Sequence, residues 1–292
     1  MTFDPNARLD PTSVTDARGG GSRMGGRGGL AVGGGGLGLV ITIIYILLGG
    51  NPGALLGDGS GSGGAPDANA PNSSALASCK TGADANARED CQIIGYVNSI
   101  EAYWTGALEG YTKAETYIFT DAISTGCGNA TSDTGPFYCP PDKSVFIDLT
   151  FFQDLEKRFG AKDAPFARAY VLAHEYGHHV QNLVGDLQPG GKDTGPTSRA
   201  VRTELQADCY AGVWANNAQK TGFIQPLKAE EIAAADAAAE AVGDDNIQKS
   251  GGGQVDPDSF SHGTSEQRVR WFTTGYESGN PDDCDTFNAT SL

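Results

Sequence analysis

The run from Phe166 to Val184, FARAYVLAHEYGHHVQNLV, constrains this chain more than any other stretch. Its apolar residues Ala169, Leu172, Ala173, Tyr176, Val180 and Leu183 recur at helical spacing, which predicts an amphipathic α-helix ending near Gly185. On that helix His174 and His178 stand one turn apart on one face, with Glu175 beside them. Two imidazoles so placed can ligate one metal ion, and zinc accepts neutral imidazole nitrogen. His179 lies about 100° further round the helix, which makes it a packing or supporting residue rather than a ligand.

A catalytic zinc site needs a third protein ligand and leaves one position for water. The chain has four histidines, and the one not in or next to the HEYGH run, His262, follows far downstream. No short-spaced histidine extends the motif, and the two methionines are Met1 and Met24, which excludes the HExxHxxGxxH arrangement with its Met-turn. The expected substitute is a carboxylate from another helix. Thr197 to about Gln219 returns to helical periodicity and carries Glu204 and Asp208 one turn apart. Glu204 is assigned to the zinc, and Asp208 to the far N–H of a ligand histidine, where it holds the ring. The competing reading leaves both acids on a solvated face, balanced by Arg199 and Arg202. With one Zn2+ ion in place, its bound water becomes acidic enough for Glu175 to deprotonate as it attacks a carbonyl carbon, which is peptide-bond hydrolysis.

The rest of the chain divides by composition. Residues 1–27 hold Arg8, Arg18, Arg23 and Arg27 among Gly, Ser and Asp, and read as a disordered tail. Residues 28–50 carry no charge, and LGLVITIIYILL within them reads as one transmembrane helix. With the arginines before it, the positive-inside rule puts the amino terminus in the cytoplasm and the rest outside the cell membrane. Residues 51–77 form a Gly/Ser/Ala/Pro tether, and 78–292 the domain. A formal charge of −16 with no basic stripe in the domain argues against a nucleic-acid partner. All six cysteines fall in the domain. Outside the cytoplasm they suggest disulfides, most simply Cys79 with Cys91, Cys127 with Cys139 and Cys209 with Cys284; a buried Cys209 thiol is the alternative.

Further helices are expected over 93–111, 150–159 (capped by Thr150), 228–242 and 266–276, the last opened by a capping box of Thr264 with Gln267. Ala114 to Phe119 reads as extended, SVFIDL at 144–149 as a strand, and 126–141 and 243–261 as loops.

The runs AHEYGHHVQNLVG, RTELQADCYAGVWA, GDDNIQ, SHGTSEQRVRWF and CDTF, in that order, resemble the bacterial neutral zinc metallopeptidase family. The resemblance covers nearly the whole chain. It implies a membrane-associated zincin with a glutamate third ligand, gluzincin-like in logic, and it favours Glu204 over the solvated-face reading; the chain as a whole then reads as a helix-rich α+β zincin-like domain acting on a peptide or protein substrate. His262, in a loop before a capped helix, is then a candidate donor to the developing oxyanion, with Arg268 as the competing transition-state or substrate contact. Against these stand a histidine bonded to local backbone and an arginine in a structural ion pair. SVFIDL is either the edge strand that receives substrate or an ordinary core strand. Two other functions are compatible with the motif: a zinc-stabilised scaffold without hydrolysis, and a zinc amidase acting on the cell envelope.

Overall fold

A computed structural model describes residues 2–18, 74–153, 165–187 and 193–292. The strands are β1 (Val14–Asp16), β2 (Glu115–Phe119), β3 (Ala122–Thr125), β4 (Gly128–Thr131), β5 (Phe137–Cys139) and β6 (Ser144–Asp148). The α-helices are α1 (Ser74–Ala77), α2 (Gly82–Ala87), α3 (Glu89–Ala107), α4 (Pro165–Val184), α5 (Arg199–Asn217), α6 (Ala229–Ala241), α7 (Asp244–Ser250) and α8 (Ser265–Ser278). Helix dominates a mixed α+β fold, as expected.

The main sheet has the order β1-β2-β6-β5, with β1, β2 and β6 parallel and β5 antiparallel to β6. SVFIDL is therefore an interior strand, and the sheet ends at β5, inside the stretch expected to be a loop. Its residues alternate in direction, as a strand requires. Phe137 and Cys139 pack with Tyr117, Phe119, Ile123 and Phe146 on one face, while the Tyr138 hydroxyl meets α4 through His179 Nδ1 at 2.9 Å. The β3–β4 hairpin covers the first face.

The helices are stacked through small residues. A Cβ on Gly212 of α5 would lie 2.0 Å from the Phe272 carbonyl oxygen, and one on Gly275 of α8 would lie 2.0 Å from that of Cys209. Glycine at both positions lets the two backbones touch. All six cysteines are paired as the simplest reading expected, Cys79–Cys91, Cys127–Cys139 and Cys209–Cys284, and no buried Cys209 thiol remains.

Several sequence expectations need correction. Residues 2–18 are not a disordered tail: Phe3, Leu9 and Val14 are buried in the main core, and β1 is a strand of the main sheet. The 51–77 tether ends earlier, because α1 starts at Ser74 and buries Leu76 completely. The 243–261 loop contains α7. Residues 150–153 are helical, but the Thr150 amide and hydroxyl both bond Asp148 Oδ1 at 2.9 Å, so Asp148 rather than Thr150 supplies the cap. The 28–50 transmembrane reading lies outside the described residues, and no helix among those described is long and apolar enough to cross a membrane.

Behind α4 sits a buried acid the sequence analysis did not single out. Glu101 of α3 is 3% exposed, and its Oε1 accepts the Ala114 amide at 3.0 Å. Burial pushes its carboxyl up from 4.5 to about 7. The folded chain therefore keeps a proton that the unfolded chain gives up, and stability falls as pH rises from 4.5 through about 7. Glu101→Gln keeps an acceptor for Ala114 without the charge. The wild-type melting temperature should drop between pH 5 and pH 8 by a margin that Glu101→Gln lacks; identical pH profiles would assign the loss elsewhere.

Candidate metal and catalytic site

Two helices build the site. α4 presents His174, Glu175 and His178, all buried, and α5 presents Glu204 and Asp208, also buried. The helices can come close because the motif carries Gly177 between its ligands. A Cβ there would lie 2.9 Å from both Cα and the carbonyl oxygen of Ala207. Ser198 caps α5 by accepting the Val201 amide at 3.2 Å, which fixes the turn from which Glu204 projects.

His174 Nε2 lies 3.3 Å from Glu204 Oε2, and His178 Nε2 lies 3.4 Å from Glu204 Oε1. One donor atom from each of the three residues falls within 4.8 Å of the others. Ligands at zinc-bond lengths around a tetrahedral centre stand about 3.4 Å apart, so these separations suit a single zinc ion. The solvated-face reading of Glu204 and Asp208 fails. A second cluster, Cys79 with Asp90 and Cys91, offers nothing comparable, because its sulfurs are joined to each other.

Each ligand imidazole is held by its other nitrogen. His174 Nδ1 donates to Asp208 Oδ1 at 2.7 Å, as expected for Asp208. His178 Nδ1 meets Gln181 Oε1 at 2.8 Å. Gln181 cannot be turned round, because its Nε2 donates to the Thr203 carbonyl at 2.7 Å and to Gln206 Oε1 at 3.0 Å. The His178 proton therefore sits on Nδ1, and the Nε2 lone pair faces the cluster. Gln181 was missed from sequence. The available signal was its place one turn beyond His178 on the same helix face.

Arg268 is not a substrate contact. Its guanidinium is 4% exposed, donates to both oxygens of Asp208 at 2.8 and 2.9 Å, and reaches the Tyr170 hydroxyl at 3.3 Å. It stands behind His174 and holds the carboxylate that holds the ring. His179 is outside the ligand cluster, bonded to the Tyr138 hydroxyl and, through Nε2 at 2.6 Å, to the Thr112 carbonyl.

His262 is buried, and its Nδ1 lies 3.0 Å from Asp244 Oδ1. The other oxygen of Asp244 accepts the Ser261, His262 and Gly263 amides at 2.7, 2.7 and 3.1 Å. Gly263 has φ +92°, a conformation that favours glycine, and its carbonyl accepts the Asp244 amide at 2.9 Å. One carboxylate at the start of α7 thus folds the SHG loop and orients its histidine. His262 lies close enough for its charge to act on Glu204. Asp244, in the GDDNIQ run, was not assigned a role from sequence because its partners are a loop remote along the chain.

The electrostatics follow from burial against pairing. Burial drives the His178 cation down to about 4. For His174 burial works the same way, but the Asp208 carboxylate more than offsets it and lifts the ring to about 10. Burial would raise Glu204 too, yet the two ligand histidines hold it well below the usual carboxylate range. Glu175 has no such compensation: burial pushes it up to about 7 despite His174, and its Oε2 is buried with no hydrogen-bond partner.

Residues 4–287 match the family described as "Putative neutral zinc metallopeptidase". The chain belongs to this zinc metallopeptidase family. It is 49% identical over 227 residues to uncharacterized protein Rv2575 of Mycobacterium tuberculosis, covering 74% of this chain and 77% of that protein. It is 45% identical over 183 residues to uncharacterized protein YpfJ of Escherichia coli, covering 61% and 62% respectively. No solved structure matches it.

The arrangement separates two kinds of acid on α5. Glu204→Ala should lose bound zinc while the domain stays folded, because the residue points into the cluster. Asp208→Ala leaves Arg268 as a buried charge without its partner and should cost about 3–5 kcal/mol of folding stability. Metal analysis alongside chemical denaturation checks both, and a stable Asp208→Ala domain would refute the ion pair's structural role.

Proposed function

We propose that this metallopeptidase-family chain hydrolyses peptide bonds of a peptide or protein substrate, using one Zn2+ ion held by His174, His178 and Glu204. The observation that carries this reading is the unpartnered, buried Oε2 of Glu175 beside the three-ligand cluster. A buried polar atom left without a partner costs stability, and such atoms gather where chemistry uses them. The histidine orientation supports zinc in particular, since each Nδ1 is engaged elsewhere and both Nε2 atoms converge where Glu204 supplies an oxygen.

Zinc, when bound, supplies a Lewis acid that brings the pKa of a water molecule down towards about 7. The chain supplies the proton transfers. Glu175, beside the cluster with one oxygen unpartnered, takes a proton from the attacking water and returns it to the leaving amine. His262 faces the same region with Nδ1 committed to Asp244, leaving Nε2 to serve the developing oxyanion. β5 supports a peptide substrate. It ends the sheet beside α4, and the Tyr138 amide helps stabilise the Glu175 anion, so an extended chain adding to that edge would lie next to the base.

Glu175→Gln should retain zinc and the wild-type melting temperature while cleavage of an unfolded protein falls by about 10²-fold or more. Equal cleavage by this variant would sink the mechanism, and no cleavage by the wild type would favour a scaffold. Release of cell-wall fragments without protein cleavage would favour an amidase.

Asp244 is a positioning residue for His262. Asp244→Ala should lower kcat about tenfold or more with zinc content unchanged, and Asp244→Asn should recover part of it by retaining the Nδ1 contact. A variant that changes KM alone would refute the assignment.

A further inference from the structure

Residues 2–18 are held along their whole length by residues 74–118 and 223–225. The Phe3 ring is 1% exposed and packs on Tyr96 at a centroid distance of 5.0 Å. Asn86 takes the Phe3 amide at 2.9 Å and donates to its carbonyl at 3.0 Å. On the other side of this segment, Phe3 bridges Ile224, with bonds from the Asp4 amide to Phe223 and from the Gln225 amide to Thr2. Arg8 bridges Thr81 antiparallel, and Asn98 takes the Asp10 amide at 2.6 Å and donates to Ser13 Oγ at 2.7 Å. β1 then pairs with β2 from Val14↔Thr116 to Asp16↔Ile118.

The surface under this segment is shaped for it. A Cβ on Gly82 would fall 1.8 Å from the Asp4 carbonyl oxygen, and one on Gly95 would fall 2.4 Å from the Phe3 ring. Arg18, one of the four arginines that would keep the amino terminus in the cytoplasm, is instead forked onto Asp16 with two bonds of 2.8 Å.

We infer that residues 2–18 and the domain from residue 74 onward lie on the same side of any membrane, with the amino-terminal segment docked on its own domain. A single crossing by the apolar run at 28–50 would put β1 and β2 on opposite faces of a bilayer, and strands on opposite faces cannot share a ladder. The three disulfides belong to an oxidising compartment. The amino terminus shares that compartment, which reverses its cytoplasmic placement by the positive-inside rule.

The test uses the full-length chain in cells with one epitope at each terminus, both probed by an added protease before and after permeabilisation. Both epitopes should become accessible in the same step; accessibility on opposite sides overturns the inference. Docking is checked by Arg8→Cys with Thr81→Cys. The Leu9-to-Lys80 and Gly82-to-Ala7 bonds flank this pair, so it is a non-hydrogen-bonded antiparallel pair with Cα atoms about 4.5 Å apart, within disulfide range. A cross-link inside one chain on a non-reducing gel is the expected result. A covalent dimer, or no cross-link, overturns docking on the same chain. The epitope arm carries no cysteine substitutions and so does not depend on that variant folding. Neither arm depends on hydrolysis, so a failed protease assay leaves the test intact.

Discussion

The site depends on how closely two helix backbones approach. For a carboxylate on α5 to share a metal with two imidazoles on α4, its oxygen must come within about 3.4 Å of their nitrogens. A glutamate side chain is too short to do this across an ordinary helix interface, where backbones are separated by two layers of side chains. Gly177 removes one of those layers, and Ala207 nearly removes the other. The glycine inside HEYGH is therefore as much a part of the site as the histidines, although it touches no ligand. The same device recurs where α5 meets α8 at Gly212 and Gly275, and that crossing brings Arg268 to Asp208.

Close approach creates an electrostatic difficulty that the surrounding residues resolve. Glu175, Glu204 and Asp208 are all buried in one small volume, where like charges repel strongly and water is scarce. Arg268 answers Asp208, and the histidines answer Glu204. Glu175 alone has an oxygen left over. The distribution is asymmetric in a way the proposed hydrolysis would use: the groups that would hold the metal are saturated with partners, and the group that would exchange a proton is not.

How much of this was readable in advance follows the range of the interactions. His174, Glu175, His178 and the Glu204–Asp208 pair are local patterns on single helices, where i to i+4 spacing specifies a shared face, and the structure joins these two patterns. Arg268 was visible as a residue but not as a role, since only the α5–α8 crossing shows that Asp208 occupies it. Asp244 and His262 are brought together by a loop conformation with a positive φ at Gly263, and no periodicity encodes that. β5 was hidden because three residues, Phe137 to Cys139, flanked by Pro136 and Pro140, have too little pattern to distinguish a strand from a loop.

The amino-terminal segment shows why composition misled. Disorder is inferred when a stretch has too little apolar surface to offset its own ordering entropy, and residues 1–27 meet that criterion when considered alone. The relevant balance includes the groove. Phe3, Leu9 and Val14 are few, but each is buried among core residues of the domain, and Asn86 and Asn98 meet backbone groups that would otherwise lose water. A segment that shares its core with distant elements needs only anchors at the right spacing. Membrane topology read from charge counts likewise treats each arginine alone: Arg18 was counted with the other arginines before the apolar run, and in the fold it is paired with Asp16 at the end of a strand. Where a flank of an apolar run folds onto the domain beyond it, pairing across that run bears on sidedness as directly as the arginines do.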